Sequence, residues 1–446
     1  MRALITLLLM FAGAAGAQQA PTHPALPYAI VGGRALLLDL YVPAIRNSPR
    51  PTLIWVHGGG WSQGTRAAPA FATALLDRGI AVASIDYRLT SQAGQYGSEG
   101  VTFPAQIHDV KGAIRFLRAN AGSYNLDPAR FAVWGSSAGG HLAALAGTSG
   151  HAPEIEGAIG GNLHVSSRMQ AVVDYYGPTD LLQVMPDTRT PPGSALNHDA
   201  ADSPESRLLG YTASDEGIGV LRANIANPNA PFPTWLALAR QASPITFVDA
   251  ADPPFLIVHG TADATVPIRQ SERLRDALAA VGRAPGYVTV PGAGHGGFPD
   301  TVQQQARDFI IAQLTAATIP VGDARGIAGA WHDPSLSGEG FEFLWLTGDT
   351  LAVTFYGHRD DGSNLFLIGT RRGALRYGET MTIDMIATRG GRYTAFDPAA
   401  IRREPWGRLE LRLDACSRAT ATLEGADGRQ VFALEKLAGL AATGCD

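Results

Sequence analysis

The stretch FAVWGSSAGGHLAAL, residues 131–145, decides the fold. An apolar run closes on Gly-Ser-Ser-Ala-Gly-Gly, and a run rich in Ala and Leu takes over at once. The first part reads as a strand buried on both faces and the last as a helix, with small residues forming the sharp bend between them. The same rhythm continues on either side. RALLLDLYV, TLIWVH and IAVASIDY before it, and QAVVDYY, FLIVHG and GYVTV after it, are strand-like runs that end near Gly, His or Asp. Continuous apolar strands suit a mainly parallel sheet covered by helices. Helical patterns alternate with them: APAFATALLDRG, AQIHDVKGAIRFLRANAG, RQSERLRDALAAVG and DTVQQQARDFIIAQL, several ending at Gly. This alternation predicts a doubly wound α/β domain over residues 26–316.

Residues 181–245 break the rhythm. They are rich in Pro, Asn, Asp and Gly and hold no long periodic run. An excursion of that length reads as a lid or substrate-contacting insertion. After the linker-like ATIPVGDARG the texture changes. GFEFLWL, LAVTFYG, NLFLIGT, TMTIDMIA, GRLELRL, ATATLEG and QVFALEKL are short strands, and Asp361-Gly362 and Asp427-Gly428 sit between strand pairs as hairpin turns. A separate small all-β domain, sandwich or barrel, is therefore predicted over residues 325–446. Its Trp331, Trp345, Tyr356 and Trp406 could stack on sugars, although aromatics in short strands more commonly form core.

The bulk properties exclude several function classes. The chain has 446 residues and a net charge of −5, with no basic stripe, so nucleic acid is not an expected partner. MRALITLLLMFAGAAGA starts with Arg2, continues apolar and ends in small residues, the layout of a secretory signal peptide over residues 1–17. The run is short for a membrane span, which needs roughly 20 apolar residues. The expected location is periplasmic or secreted, in a bacterium, without stable membrane insertion. The two cysteines, Cys416 and Cys445, form an even pair, which in an exported chain points to a disulfide. No His, Cys, Asp or Glu set has metal-ligand spacing and no phosphate-cradling loop is present, so no metal or other cofactor is expected.

The chemistry starts at Gly135-Ser136-Ser137-Ala138-Gly139. G-x-S-x-G after a strand and before a helix is a nucleophile elbow, which lifts the Ser137 hydroxyl above the sheet at a helix N-terminus. Serine needs a base to take its proton. The order Ser, acid, His continues with Asp263, just past FLIVHG, and His295, just past GYVTV. All three fall on loops at the carboxyl edge of the sheet, where ligands bind in open α/β folds. In these roles His295 accepts the serine proton and Asp263 holds the imidazole in its tautomer. Asp249 and Asp252 are rival acids, but they precede their strand and so lie at its other end. His57-Gly58-Gly59-Gly60-Trp61, also after a strand, offers backbone N–H groups unobstructed by side chains. Gly59, Gly60 and Ala138 are the expected oxyanion donors, and His57 the residue that orients their loop. His108-Asp109 and Asp86-Tyr87-Arg88 read as bracing groups, and His141 as packing or pocket wall. His151, His164 and His198 are scattered.

HGGGW, the run FPAQIHDVKGAIRFLRANAGSYNLDPARFAVWGSSAGGHLAAL, the AVVDYYGPTDL strand end, PPFLIVHGTADATVPIRQSERLRDAL and VPGAGHG together resemble the α/β-hydrolase esterases. The resemblance is to the feruloyl- and acetylxylan-esterase-like bacterial branch, akin to the hormone-sensitive-lipase group, and covers residues 28–315. It implies Ser137, Asp263 and His295 as triad, Gly59, Gly60 and Ala138 as oxyanion hole, and hydrolysis of carboxylic esters, with acyl groups on plant polysaccharide as one substrate class. Residues 181–245 are longer and more irregular than the family pattern. The β domain is similar to C-terminal modules of exported bacterial proteins that begin AGxW…D…SGEGF, which implies no defined function.

Two other readings compete. The same triad could cleave amides, as in a formamidase or peptidase, but peptidase relatives normally carry an N-terminal propeller. The chain could also be a carbohydrate-binding protein on a hydrolase scaffold, a reading that stays open for the β domain. Oligomeric state is not legible.

Overall fold

The structure, a computed structural model, describes residues 20–44, 49–98, 100–188, 196–211, 213, 215–317, 319–321, 324–346, 349–389, 399 and 401–439. The expected signal peptide and Cys445 of the expected disulfide lie outside the described residues.

Eight strands form the first sheet: β1 (His23–Val31), β2 (Arg34–Tyr41), β3 (Arg50–Val56), β4 (Ala81–Ile85), β5 (Leu126–Ser136), β6 (Ala171–Tyr175), β7 (Phe255–Gly260) and β8 (Gly286–Val290), in spatial order β1-β2-β4-β3-β5-β6-β7-β8. Strands β3 to β8 run parallel to one another, while β2 is antiparallel to both β1 and β4. Every residue of β4, β6 and β7 is buried, as expected of strands covered on both faces. The edge strands β1 and β8 are instead mostly exposed or half-buried. β1 is absent from the sequence expectation because HPALPYAIV carries two prolines and little apolar continuity.

Ten helices flank or interrupt the sheet: α1 (Ala72–Leu76), α2 (Ala105–Ala119), α3 (Ala121–Tyr124), α4 (Ala138–Thr148), α5 (Val184–Asp187), α6 (Pro204–Leu208), α7 (Ile218–Ala223), α8 (Phe232–Gln241), α9 (Ile268–Ala280) and α10 (Asp300–Leu314) among the described residues. Successive residues of β5 feed opposite layers. Phe131 and Val133 pack with α2, α4 and α9, whereas Ala132 and Trp134 pack with α1 and α10. Trp134 stacks on Phe71 with ring centroids 3.9 Å apart. Because β3 to β8 run parallel, they all end at one edge, which sets the loops after β3, β5, β7 and β8 side by side.

The excursion at 181–245 is helical rather than irregular. It carries α5 to α8, short enough that no helical period shows over a long window. Ser203 caps α6 by accepting the Ser206 N–H at 3.1 Å, and His198 pairs with Glu205 at 3.0 Å. Trp235 of α8 packs against Tyr211 and Phe232. Asp187 at the end of α5 accepts from Arg273 and Gln270 of α9, both at 2.7 Å, and anchors the insertion to the sheet domain.

Beyond α10, β9 (Ile319–Pro320) pairs with β14 (Arg376–Tyr377). The remaining strands are β10 (Gly329–His332), β11 (Gly340–Leu346), β12 (Thr350–His358), β13 (Asn364–Arg372), β15 (Thr380–Arg389), β16 (Arg402–Ala415), β17 (Arg418–Gly425) and β18 (Gly428–Gly439), and they close into an antiparallel barrel. Closure removes every open edge. β10 completes the ring between β11 and β18, although the four residues GAWH are too short to read as a strand. Alternate residues point inward, and Trp331, Phe341, Phe343, Phe355 and Phe432 fill the interior. Trp331 is fully buried and Trp406 nearly so, whereas Tyr356 is 44% exposed. Ala129, at the amino end of β5, joins the barrel's core cluster, and Arg130 donates to the carbonyls of Leu314 and Ala316 at 2.8 Å. The barrel therefore rests on the end of the sheet away from the carboxyl edge.

Candidate active site

Ser137 stands at the junction of β5 and α4 with φ 56° and ψ −124°. A positive φ is strained for a residue with a side chain. The bend is held by the Ser137 N–H donating to the Tyr175 carbonyl at 2.8 Å. Its neighbours must be glycine for a steric reason. A Cβ on Gly135 would lie 2.0 Å from the Gly139 carbonyl oxygen, and one on Gly139 would lie 2.1 Å from that of Val56. The G-x-S-x-G spacing is thus the record of three backbones packed against each other.

Asp263 and His295 arrive on the loops after β7 and β8. His295 Nε2 lies 2.9 Å from Ser137 Oγ, and His295 Nδ1 lies 2.7 Å from Asp263 Oδ2. A carboxylate at Nδ1 requires that nitrogen to carry the proton, which leaves Nε2 free to accept from the serine hydroxyl. Asp263 Oδ1 accepts the N–H groups of Thr265 and Val266 at 2.8 and 3.0 Å. Burial raises the pKa of Asp263, but hydrogen bonds from His259 and His295, the charge of His295 and the Val266 N–H outweigh it and hold the carboxyl well below the usual range.

Two residues at this site are missing from the sequence expectation. His259, the last residue but one of β7, is fully buried; its Nε2 lies 2.9 Å from the Val266 carbonyl and 3.3 Å from Asp263 Oδ2, while Nδ1 lies 2.7 Å from Ser271 Oγ. Tyr176, with φ 45°, sets its ring 4.6 Å from that of His295. Both close apolar strand runs, where nothing in the letters separates a site residue from a strand terminus.

The loop after β3 curls tightly. Gly59, Gly60 and Trp61 all have positive φ, and the Gly59 carbonyl accepts the N–H groups of Ser62 and Gln63 at 3.1 Å. Among the described residues nothing accepts the N–H groups of Gly59 or Gly60. The Ala138 N–H belongs to the first turn of α4, whose donors have no intrahelical partner. His57 braces the loop: its Nδ1 lies 2.8 Å from the Gly58 carbonyl and its ring stacks on Tyr87 at 4.4 Å. Burial lowers its pKa and so favours the neutral ring. Tyr87 in turn donates to the His57 carbonyl at 3.0 Å, and the adjoining Arg88 pairs with the buried Asp109 at 2.7 Å. Trp61 Nε1 donates to His141 Nδ1 at 3.1 Å, and His141 Nε2 donates to the Ala242 carbonyl at 2.6 Å. His141 is therefore neither free wall nor simple packing; it clamps the loop after β3, helix α4 and the end of the insertion together. Burial pushes its pKa down to about 4.

A cavity of about 750 Å³ opens between this loop and the insertion, lined by Ser62, Thr90, Thr102, Asp202, Arg207 and Tyr211. A second, of about 350 Å³, lies behind the elbow among Trp55, Phe71, Trp134, Ser136 and Tyr176. The rival acids Asp249 and Asp252 lie before β7 and group with His151, their ligand-type atoms all within 4.8 Å of one another. Arg168 and Arg283 donate to the carbonyls of Ala251 and Ala250 in the same turn.

Two family models match the chain, BD-FAE over residues 38–278 and TAP-like protein over residues 234–325. Esterase LipC of Mycobacterium tuberculosis is 34% identical over 266 residues, covering 59% of this chain and 57% of that protein. Esterase LipQ of the same organism is 30% identical over 275 residues, covering 60% and 56%. The chain thus spans about half the length of the curated relatives it matches. Among solved structures, a truncated carbohydrate esterase from gut microbiota aligns at TM-score 0.54 and 32% identity, over 67% of this chain and 100% of that one. A bifunctional GH43-CE protein of Bacteroides eggerthii aligns at TM-score 0.53 and 33% identity, over 65% of this chain and 38% of that one.

Proposed function

Because the chain belongs to the BD-FAE family of α/β-hydrolase-fold esterases, we propose that it hydrolyses carboxylic esters through an acyl-enzyme on Ser137. The observation that carries this reading is the unbroken hydrogen-bonded line from Ser137 Oγ through His295 to Asp263. Ser137 attacks the ester carbonyl while His295 Nε2 takes its proton; Asp263 stabilises the imidazolium that forms. The N–H groups of Gly59, Gly60 and Ala138 receive the oxyanion, each worth about 2.7–4 kcal/mol of barrier in comparable sites. His295 then hands its proton to the departing alcohol, and a water activated by the same nitrogen releases the acid.

The kinship with carbohydrate esterases supports acyl groups on polysaccharide as the substrate class. Export through the leader at residues 1–17 and pairing of Cys416 with Cys445 complete the reading. Acid release from acetylated xylan, feruloylated arabinoxylan and a p-nitrophenyl chain-length series tests it. The parent should release acid and the Ser137→Ala protein should not; equal turnover by both would overturn it. Intact mass before and after reduction and alkylation tests the disulfide.

A further inference from the structure

We propose that Tyr176 is a positioning residue for His295, a ring platform that fixes the tilt of the imidazole between Ser137 and Asp263. The inference rests on the ester-hydrolase reading and adds a residue to that site. His295 is delivered by the loop PGAGHGG, residues 291–297, which carries four glycines. Gly292, Gly296 and Gly297 all have positive φ. A backbone of this composition restrains the side chain little. The hydrogen bonds of His295 to Ser137 Oγ at 2.9 Å and to Asp263 Oδ2 at 2.7 Å act at the edge of the imidazole. They leave the ring free to roll about the line joining its two nitrogens. A contact on the ring itself stops that roll. Tyr176 supplies it, with ring centroids 4.6 Å apart and the planes inclined at 57°.

The platform is itself held. Phe298 packs edge-on against the Tyr176 ring at 5.3 Å, and a Cβ on Gly296 would lie 3.0 Å from the Tyr176 hydroxyl oxygen. The loop that carries His295 therefore folds around the phenol. The backbone of Tyr176, at φ 45°, is an outlier for a bulky residue. Strain of this kind persists only where the surroundings impose it. Here the Tyr176 N–H donates to the Val258 carbonyl at 2.9 Å, and the Gly177 N–H donates to Asp174 Oδ1 at 2.9 Å. Asp174 is fully buried and keeps this bond although its Oδ2 has no partner among the described residues. The segment lies tight on α4: a Cβ on Gly177 would stand 2.4 Å from the His141 nitrogen, and one on Gly140 would stand 2.5 Å from Asp174 Oδ1. Within the same segment the Tyr175 carbonyl accepts the Ser137 N–H at 2.8 Å. Residues 174–177 thus hold the nucleophile by its backbone and the base by its ring, and set one against the other.

The test compares full-length Tyr176→Ala, Tyr176→Phe and Tyr176→Gly with the parent on p-nitrophenyl acetate. Tyr176→Ala should lower kcat about tenfold or more with KM unchanged, the scale of a small misplacement of a catalytic group. Tyr176→Phe keeps the ring and should recover most of that loss. Tyr176→Gly removes the ring but relieves the positive φ, so its kcat should fall with that of Tyr176→Ala whatever their melting temperatures. The low-field proton resonance of the His295–Asp263 hydrogen bond should be sharp in the parent and in Tyr176→Phe, and broadened or displaced in Tyr176→Ala. Parent-like kcat in Tyr176→Ala and Tyr176→Gly would overturn the proposal, as would a loss in Tyr176→Phe as deep as that in Tyr176→Ala. Equal turnover by the parent and Ser137→Ala would sink the hydrolase reading instead, and the proton resonance would still report on the platform.

Discussion

His259 Nε2 lies 3.3 Å from the same Asp263 oxygen that accepts the 2.7 Å hydrogen bond from His295. The Ser271 hydroxyl at Nδ1 and the Val266 carbonyl at Nε2 together fix the His259 tautomer, with the proton on Nε2. Asp263 is thus held by donors on both oxygens before it ever meets substrate. His259 is a positioning residue. Its replacement by Ala should lower kcat for p-nitrophenyl acetate about tenfold, the scale of one charge-assisted hydrogen bond, with KM unchanged. An unchanged kcat would remove His259 from the machinery.

The depressed pKa of Asp263 gives a definite sign to acid stability. A carboxyl whose folded pKa lies below its unfolded value of about 3.9 adds stability above that value and loses it as pH falls through the folded one. Asp263→Asn should flatten the fall in melting temperature below about pH 4, and should cut kcat by about 10⁴. A parent-like acid profile in the variant would contradict the linkage.

His141 works in the opposite range. Its folded pKa of about 4 lies below the unfolded value of about 6.5. The unfolded chain therefore binds the extra proton first, and the contribution of His141 weakens as pH falls from about 6.5 towards 4. Protonation also removes the acceptor that Trp61 uses. His141→Gln should show a smaller loss of melting temperature across this window, measured by scanning calorimetry at fixed ionic strength.

The strained elbow predicts a contrast between two inactive variants. Ser137→Gly relieves the positive φ, whereas Ser137→Ala keeps it. The glycine protein should be the more stable by about 1 kcal/mol in urea unfolding, with neither turning over ester. Equal stabilities would mean that the backbone there stores no strain.

Close approach at Gly139 carries a heavier penalty. A Cβ there would stand 2.1 Å from the Val56 carbonyl oxygen and 2.5 Å from that of His57. Gly139→Ala should destabilise by about 3 kcal/mol or more. Gly292→Ala, with open space around its Cβ and φ 70°, should cost only about 1 kcal/mol.

Much of this was legible in the letters, for reasons that differ by element. β3 to β7 are apolar on both faces, so their runs are continuous, and the bend at Ser137 needs glycines that cannot be hidden. The triad order follows because strand ends at one edge of a parallel sheet bring distant loops together. β1 and β10 escaped because edge and closing strands are set by their partners rather than by their own residues. The helices of the insertion escaped because the longest, α8, has ten residues and opens among prolines. His259 and the inward turn of Trp406 depend on register, which one chain's pattern does not carry.

The barrel meets the sheet domain through Ala129, β9 and β14, the end opposite the β12–β13 and β17–β18 hairpins. Ser137 and the hairpin end of the barrel therefore point to opposite poles of the molecule. Whatever covers the hairpin end of the barrel therefore leaves the serine's edge of the sheet open.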